Sequence, residues 1–126
     1  EARMFPMLWK SGLREGTEDW EICDALKPDK KDVLVNKPRY DAFFNTKLEK
    51  ILRAKNVETV IITGTMTEIC CESTARSAMF HDYHIIFCTD LTFTNSRKTH
   101  KNTVEVIRAN FGDACTAQKI MKEMGK

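Results

Sequence analysis

The stretch from Glu58 to Ala78 constrains the fold of this chain more than any other. Its apolar and β-branched residues, Val60 to Thr63, end at Gly64, and Cys70 and Cys71 then begin a segment of helical composition. This order predicts a buried strand, a tight turn and a helix whose first turn carries a thiol. In an α/β protein such a turn lies at the carboxyl end of the sheet, where ligands bind, and free N–H groups there favour a thiolate. The sequence therefore suggests a cysteine nucleophile.

The rest of the chain alternates apolar runs with helical patterns. Ile85–Cys88 is continuously apolar, which predicts a strand buried on both faces, and shorter runs predict strands at Val33–Val35 and Asp113–Ala117. Helices are expected between and after the strands, over Tyr40–Asn56 with a Thr46–Glu49 capping box, over Ile69–Phe80, after Asn95 or Ser96, and over Lys119–Met124. In residues Glu1 to Pro28 the apolar residues follow no sustained periodic pattern. The pattern predicts an α/β, three-layer Rossmann-like fold, with helices on both faces of a parallel sheet.

Composition excludes several classes of function. The 126 residues are 42% hydrophobic and 30% charged, which fits a single domain over residues 1–126. The net charge of +2 comes from basic residues scattered among acids, which argues against a nucleic-acid partner. Because no apolar run approaches the ~20 residues of a membrane span and no leader resembles a signal peptide, we expect no membrane partner and a cytoplasmic location.

The five cysteines are odd in number and lack the paired spacing that holds zinc. We therefore expect free thiols and no metal or other cofactor. Cys23, Cys88 and Cys115 fit packing roles, because most buried cysteines behave as small hydrophobic residues. Cys71 ranks well below Cys70 as a nucleophile, since one position further round the helix it should face the sheet or a neighbouring element.

Lys37 ends the predicted Val33–Val35 strand, so it can reach the same rim of the sheet as Cys70. Most lysines are solvated surface charges, but a cation beside a thiol favours the thiolate. Asp90 ends the next strand, where a capping or loop role is favoured over ligand contact. His81, His84 and His100 are too scattered for a metal triad, although His100 begins a helix near the rim.

Two segments carry a resemblance to a known family. ITGTMTEICCESTARSAMFHDY resembles the nucleophile segment of the isochorismatase-like cysteine hydrolases, and VNKPRYDAFFNTKLEKIL resembles their lysine segment. The group includes nicotinamidases, N-carbamoylsarcosine and ureidoacrylate amidohydrolases, and isochorismatases. The similarity extends from about Leu13 through the C-terminal region.

The resemblance implies roles for particular residues. Cys70 resembles the nucleophile of the catalytic triad and Lys37 the catalytic lysine. A cis peptide between Thr65 and Met66 would direct the N–H of Met66, with that of Cys70, at the developing oxyanion. Phe43 and Phe44, the irregular N-terminal loop and a neighbouring subunit would determine specificity for a small-molecule substrate. The family also implies a homo-oligomer, either a dimer or a tetramer.

One family feature has no counterpart in these residues. Members carry a catalytic aspartate in a D-x-Q or D-M-Q segment at the end of their first strand, and no acid here stands in that context. We expect the sequence to be an N-terminally incomplete piece of a longer protein, without its first two strands. These strands would lie between the Val33 strand and the Thr59 strand. The Asp and His set that holds a metal in nicotinamidases is likewise unmatched.

Three functions remain open at this point. The favoured one is a cysteine hydrolase that cleaves a C–N bond of a small amide or ureido compound through a thioester. The second is isochorismatase-type vinyl-ether hydrolysis, which ranks lower because that chemistry need not use a cysteine. The third is a non-catalytic binding or interface member of the fold, in which Cys70 serves packing or redox sensing.

Overall fold

The computed structural model describes residues 15–125. The chain divides into two compact units, residues 1–34 and 35–126, and the expectation of a single domain stays a prediction. In the first unit, two 3-10 turns, Glu18–Trp20 and Asp24–Leu26, are the regular elements within the described residues. This agrees with the predicted lack of periodicity up to Pro28. Residues 1–14 of that stretch lie outside the described part.

The second unit contains three strands and four α-helices. The strands run parallel in the order β1-β2-β3, which confirms the predicted α/β class with a parallel sheet. A π-helical turn, Thr67–Cys71, precedes the second helix. The elements in chain order are α1 (Leu48–Ala54), β1 (Thr59–Thr65), the π-helical turn, α2 (Glu72–Phe80), β2 (His84–Phe93), α3 (Arg97–Asn110), β3 (Asp113–Cys115) and α4 (Ala117–Glu123).

The core lies where α2 and α3 meet the sheet. Ala75 and Ala78 of α2 are fully buried, as are Phe87 of β2 and Ile107 of α3. The small alanine side chains let α2 lie close to the strands, while the larger side chains fill the space between the layers. Helix α4 also packs against β2, and its Ile120 is buried. No helix within residues 15–125 has the length and apolar character that crossing a bilayer requires.

Gly64 belongs to β1 rather than to the turn that follows it. The pairing of β1 with β2 shifts register between Ile62 and Gly64, and Gly64 has a φ of +115°. A side chain would be strained at this φ, so glycine suits the position. A register shift of this kind bends a strand locally.

The predicted helix over Tyr40–Asn56 is shorter in the structure. It begins at Leu48, with Lys47 at the N-cap position, so the predicted capping box is wrong. Thr46 still satisfies the helix end, because its Oγ1 accepts the N–H of Leu48 at 3.1 Å while donating to the carbonyl of Ala42. The left-handed stop at Asn56, with a φ of +52°, agrees with the prediction.

Val33–Val35 is not a strand in the structure, and this part of the prediction is wrong. Val33 is 50% exposed and Leu34 66%. A strand requires a neighbour to pair its backbone groups, and these residues take no part in the pairing of the described sheet. Local β propensity alone does not supply that pairing.

Candidate active site

The structure brings together the two residues that the sequence singled out first. Cys70 lies in the π-helical turn between β1 and α2, and Lys37 lies in the irregular segment before α1. The Lys37 Nζ is 3.6 Å from the Cys70 Sγ and donates a second hydrogen bond to the carbonyl of Arg39 at 3.1 Å. The ammonium group of Lys37 thus lies within hydrogen-bonding distance of the Cys70 sulfur.

The π-helical turn that carries Cys70 begins directly after Met66. The peptide bond between Thr65 and Met66 is cis. The carbonyl of Met66 accepts hydrogen bonds from the N–H groups of Ile69 and Cys71, both at 3.1 Å. Both hydrogen bonds join backbone groups of the turn itself. They fix the main chain around Cys70, in the turn that follows β1.

Two side-chain hydrogen bonds join the π-helical turn to the segment that follows β2. Thr67 is fully buried, and its Oγ1 lies 3.0 Å from the Nδ1 of His100 in α3. Thr94 donates its hydroxyl to the Oε1 of Glu68 at 2.9 Å. The position of His100 near the rim agrees with its place at the start of a predicted helix. Thr94 was missed, because a lone threonine after a strand carries no distinguishing sequence signal.

A third bond fixes the start of α2. Thr103 of α3 donates to the Oε2 of Glu72 at 3.2 Å, while the Oε1 of Glu72 pairs with Arg76 at 2.6 Å, as their i,i+4 spacing predicted. Both carboxylate oxygens of Glu72 are thus satisfied. The nucleophile turn is anchored at both of its ends to α3, which limits how far Cys70 can move.

Cys71 faces the core, as the sequence predicted. It is only 4% exposed, and its Sγ donates to the carbonyl of Thr63 at 3.8 Å. Burial, with the neighbouring Cys70 as a smaller contribution, raises the pKa of Cys71 to about 11 from the ordinary value of 9.0. At neutral pH Cys71 is therefore a protonated thiol and a poor nucleophile.

Replacing Cys71 with valine should remove a pH dependence of stability. The folded state holds the neutral thiol, so its contribution is complete below pH 9 and is lost as the pH rises toward 11. We expect urea unfolding to show that wild-type stability falls between pH 9 and 11 by up to about 2 kcal/mol more than that of Cys71→Val. Parallel curves for the two proteins would show that Cys71 does not titrate differently on folding.

Asp90 has the structural role that the sequence favoured. Its Oδ1 accepts the N–H of Ala117, the first residue of α4, at 2.8 Å, and this bond is the main reason that its pKa is lowered. The same oxygen accepts the S–H of Cys88 at 3.3 Å. Burial, and then the bond to Asp90, raise the pKa of Cys88. Asp90 thus anchors α4 to β2, and the prediction that this strand ends at Asp90 is wrong, because β2 continues to Phe93.

The histidines do not form a metal site. His81 places its Nδ1 3.2 Å from a carboxylate oxygen of Glu49 and stacks on Phe43, with ring centroids 5.1 Å apart. His100 bonds to Thr67. Within residues 15–125, no three His, Cys, Asp or Glu side chains are grouped closely enough to hold a metal ion.

The two phenylalanines proposed for substrate binding have different environments. Phe43 is 8% exposed and packs in the core against His81 and Tyr83, and its contact with substrate stays a prediction. Phe44 is 49% exposed. It lines a shallow depression together with Arg39, Tyr40, Asp41 and Ser73.

Comparison with known proteins identifies the family. Residues 2–119 match the isochorismatase domain. The chain belongs to the isochorismatase family. Among curated relatives, it is similar to the ureidoacrylate amidohydrolase RutB of Methylorubrum extorquens, with 39% identity over 90 residues. This alignment covers 71% of the chain but 36% of the relative, so the chain spans well under half the length of that relative.

Solved structures of similar proteins agree with the fold. A cysteine hydrolase from Pseudomonas syringae pv. phaseolicola superposes with a TM-score of 0.85 at 29% identity, covering 90% of this chain and 58% of that one. N-carbamoylsarcosine amidase from Thermoplasma acidophilum superposes with a TM-score of 0.78 at 26% identity, covering 87% and 62%. The three-layer α/β fold predicted from the sequence is therefore confirmed.

Proposed function

We propose that the protein is a cysteine hydrolase that cleaves a C–N bond of a small amide or ureido substrate through a thioester on Cys70. The observation that carries this proposal is the 3.6 Å separation of the Lys37 ammonium from the Cys70 sulfur at the turn that follows β1. The similarity to a ureidoacrylate amidohydrolase and to an N-carbamoylsarcosine amidase supports the choice of bond.

The reaction proceeds in two steps in this proposal. The Cys70 sulfur attacks the carbonyl carbon, and the N–H groups of Met66 and Cys70 stabilise the oxyanion that forms. The C–N bond then breaks, and the nitrogen leaves as the amine with the proton that the Cys70 thiol gave up, while the acyl or carbamoyl group stays on sulfur. Water attacks this thioester, which releases the acid and restores the thiol. Lys37 stabilises the negative sulfur in both the attack and the release.

Proton transfer to the leaving amine is not assigned to a residue of this chain. The family uses an aspartate for this role, and the acids here do not stand in the matching sequence context. Cys70, Lys37 and Met66 are therefore the residues to which the proposal gives catalytic roles, with Thr65 completing the turn through its peptide bond to Met66.

The substrate would lie beside the depression that Phe44 lines. Ser73, in the same depression, follows Cys70 by three residues and so lies near it on one side of the helical segment. The exposed ring of Phe44 offers an apolar contact for a small substrate. We also propose that the protein forms a homo-oligomer in the cytoplasm, as expected from the sequence.

Trapping the acyl group on the enzyme tests the proposal. The protein would be mixed with a small ureido or amide substrate, quenched in acid and digested with trypsin. We expect the peptide of residues 56–76 to gain the mass of the carbamoyl or acyl group at Cys70, and the gain to be absent in Cys70→Ala. Added hydroxylamine should divert the thioester to a hydroxamate or hydroxyurea.

Two results would contradict the thioester mechanism. One is turnover without either an adduct or a hydroxylamine product. The other is cleavage of a vinyl-ether substrate at the same rate by the wild type and Cys70→Ala, which would favour isochorismatase-type hydrolysis.

A further inference from the structure

Two cysteines outside the candidate active site occupy paired positions in the sheet. Cys88 of β2 lies opposite Cys115 of β3 in the parallel register. Both are free thiols in the structure, and the proposed reaction uses neither. Directly paired residues on neighbouring strands direct their side chains to the same face of a sheet. The two sulfur atoms therefore share one face.

The spacing of the strands suits a disulfide bond between these positions. Neighbouring strands lie about 4.8 Å apart, and the Cα atoms of disulfide-bonded cysteines are usually about 4.4 to 6.8 Å apart. Strand β3 is short and lies at the edge of the described sheet, with Cys115 as its last residue. It can therefore adjust to the Cβ separation of a disulfide more easily than a central strand can.

The two thiols differ in their access to solvent. Cys88 is fully buried and donates its S–H to Asp90, whereas Cys115 is partly exposed. Asp90 also accepts the N–H of Ala117, two residues after Cys115. This carboxylate thus joins β2 to the start of α4, two residues beyond the end of β3. A small oxidant reaches Cys115 before it reaches Cys88.

We propose that Cys88 and Cys115 are a site of reversible oxidation, forming a disulfide when the protein meets a hydroperoxide. The sulfur of Cys115 first takes an oxygen atom from the peroxide, giving a sulfenic acid and an alcohol or water. The sulfur of Cys88 then attacks this sulfur. The S–O bond breaks, and the hydroxyl group leaves with the Cys88 proton as water. The peroxide receives two electrons in total, and a dithiol reductant reverses the change.

Tryptic peptides separate this link from other pairings. Cys88 lies in the peptide of residues 77–97 and Cys115 in that of residues 109–119, whereas Cys70 and Cys71 share residues 56–76 and Cys23 lies in residues 15–30. The folded protein would be treated with hydrogen peroxide, unfolded in iodoacetamide, digested without reductant and analysed by mass spectrometry. We expect a linked pair of peptides 77–97 and 109–119 to become the major form of both.

The controls decide between this site and general oxidation. The linked pair should disappear on treatment with dithiothreitol and should not form in Cys115→Ser, while Cys23→Ser should leave it unchanged. Recovery of Cys88 and Cys115 as unlinked alkylated thiols, at peroxide doses that oxidise the exposed Cys23, would overturn the proposal. Formation of the link only when peroxide is added in urea would overturn it as well, because the folded register would then play no part.

Discussion

Replacing Cys70 with alanine is expected to lower kcat/KM for a small amide or ureido substrate by about 10⁴- to 10⁶-fold, the range found when a catalytic nucleophile is removed. The sulfur is the atom that forms the covalent intermediate in our proposal. Without it, the oxyanion donors can only position water, which explains why some residual rate should remain. Initial rates across a substrate series would measure the effect.

Cys23→Ser provides the matched control for this loss. Cys23 is an exposed thiol in the other compact unit, so the packing role predicted for it is wrong. Its replacement should change kcat/KM by less than about twofold. Circular dichroism and urea unfolding of Cys70→Ala would show whether the fold is intact. Wild-type kcat/KM in a folded Cys70→Ala protein would favour a non-catalytic role for this cysteine.

Replacing Lys37 with methionine should lower kcat/KM by about 10²- to 10³-fold. Methionine keeps much of the side-chain length but removes the positive charge that lies 3.6 Å from the sulfur. At that distance two unit charges attract by about 1 kcal/mol in water and about 5 kcal/mol at an effective dielectric constant of 20. The expected loss equals about 2.7 to 4 kcal/mol, which lies between these limits.

Two substitutions separate charge from structure at this position. Lys37→Arg keeps the charge but changes its geometry, so we expect a smaller loss than in Lys37→Met. Lys50→Met removes an exposed lysine from α1 and should leave kcat/KM unchanged. Equal losses in Lys37→Met and Lys37→Arg would indicate that the geometry of the ammonium, rather than its charge, is required.

The meeting of Cys70 and Lys37 could be predicted because two sequence motifs specify it. The order of a strand, a glycine and a cysteine predicted that Cys70 follows the end of β1. The lysine motif predicted that Lys37 lies at the same rim of the sheet. The reasoning for Lys37 was nevertheless partly wrong, since Val33–Val35 is not a strand. Lys37 reaches the thiol from an irregular segment, which local periodicity cannot describe.

The environments of Phe43 and Phe44 could not be predicted from their order in the sequence. The two residues are adjacent in a segment that has no periodic pattern of apolar residues. Phe43 is buried only because it packs against His81 and Tyr83 in the tertiary structure. The bonds from Thr94 and Thr103 to the nucleophile segment were missed for a similar reason. Each connects residues more than 25 positions apart, and neither has a local pattern.

The rate at which iodoacetamide alkylates Cys70 tests the central claim that Lys37 activates this thiol. Alkylation requires the thiolate, so the rate reports activation without the need for a substrate. At neutral pH we predict that Cys70 is modified faster than the exposed Cys23, and that Lys37→Met slows modification of Cys70 but not of Cys23. Equal rates for the two cysteines in the wild type, or an unchanged Cys70 rate in Lys37→Met, would contradict the account.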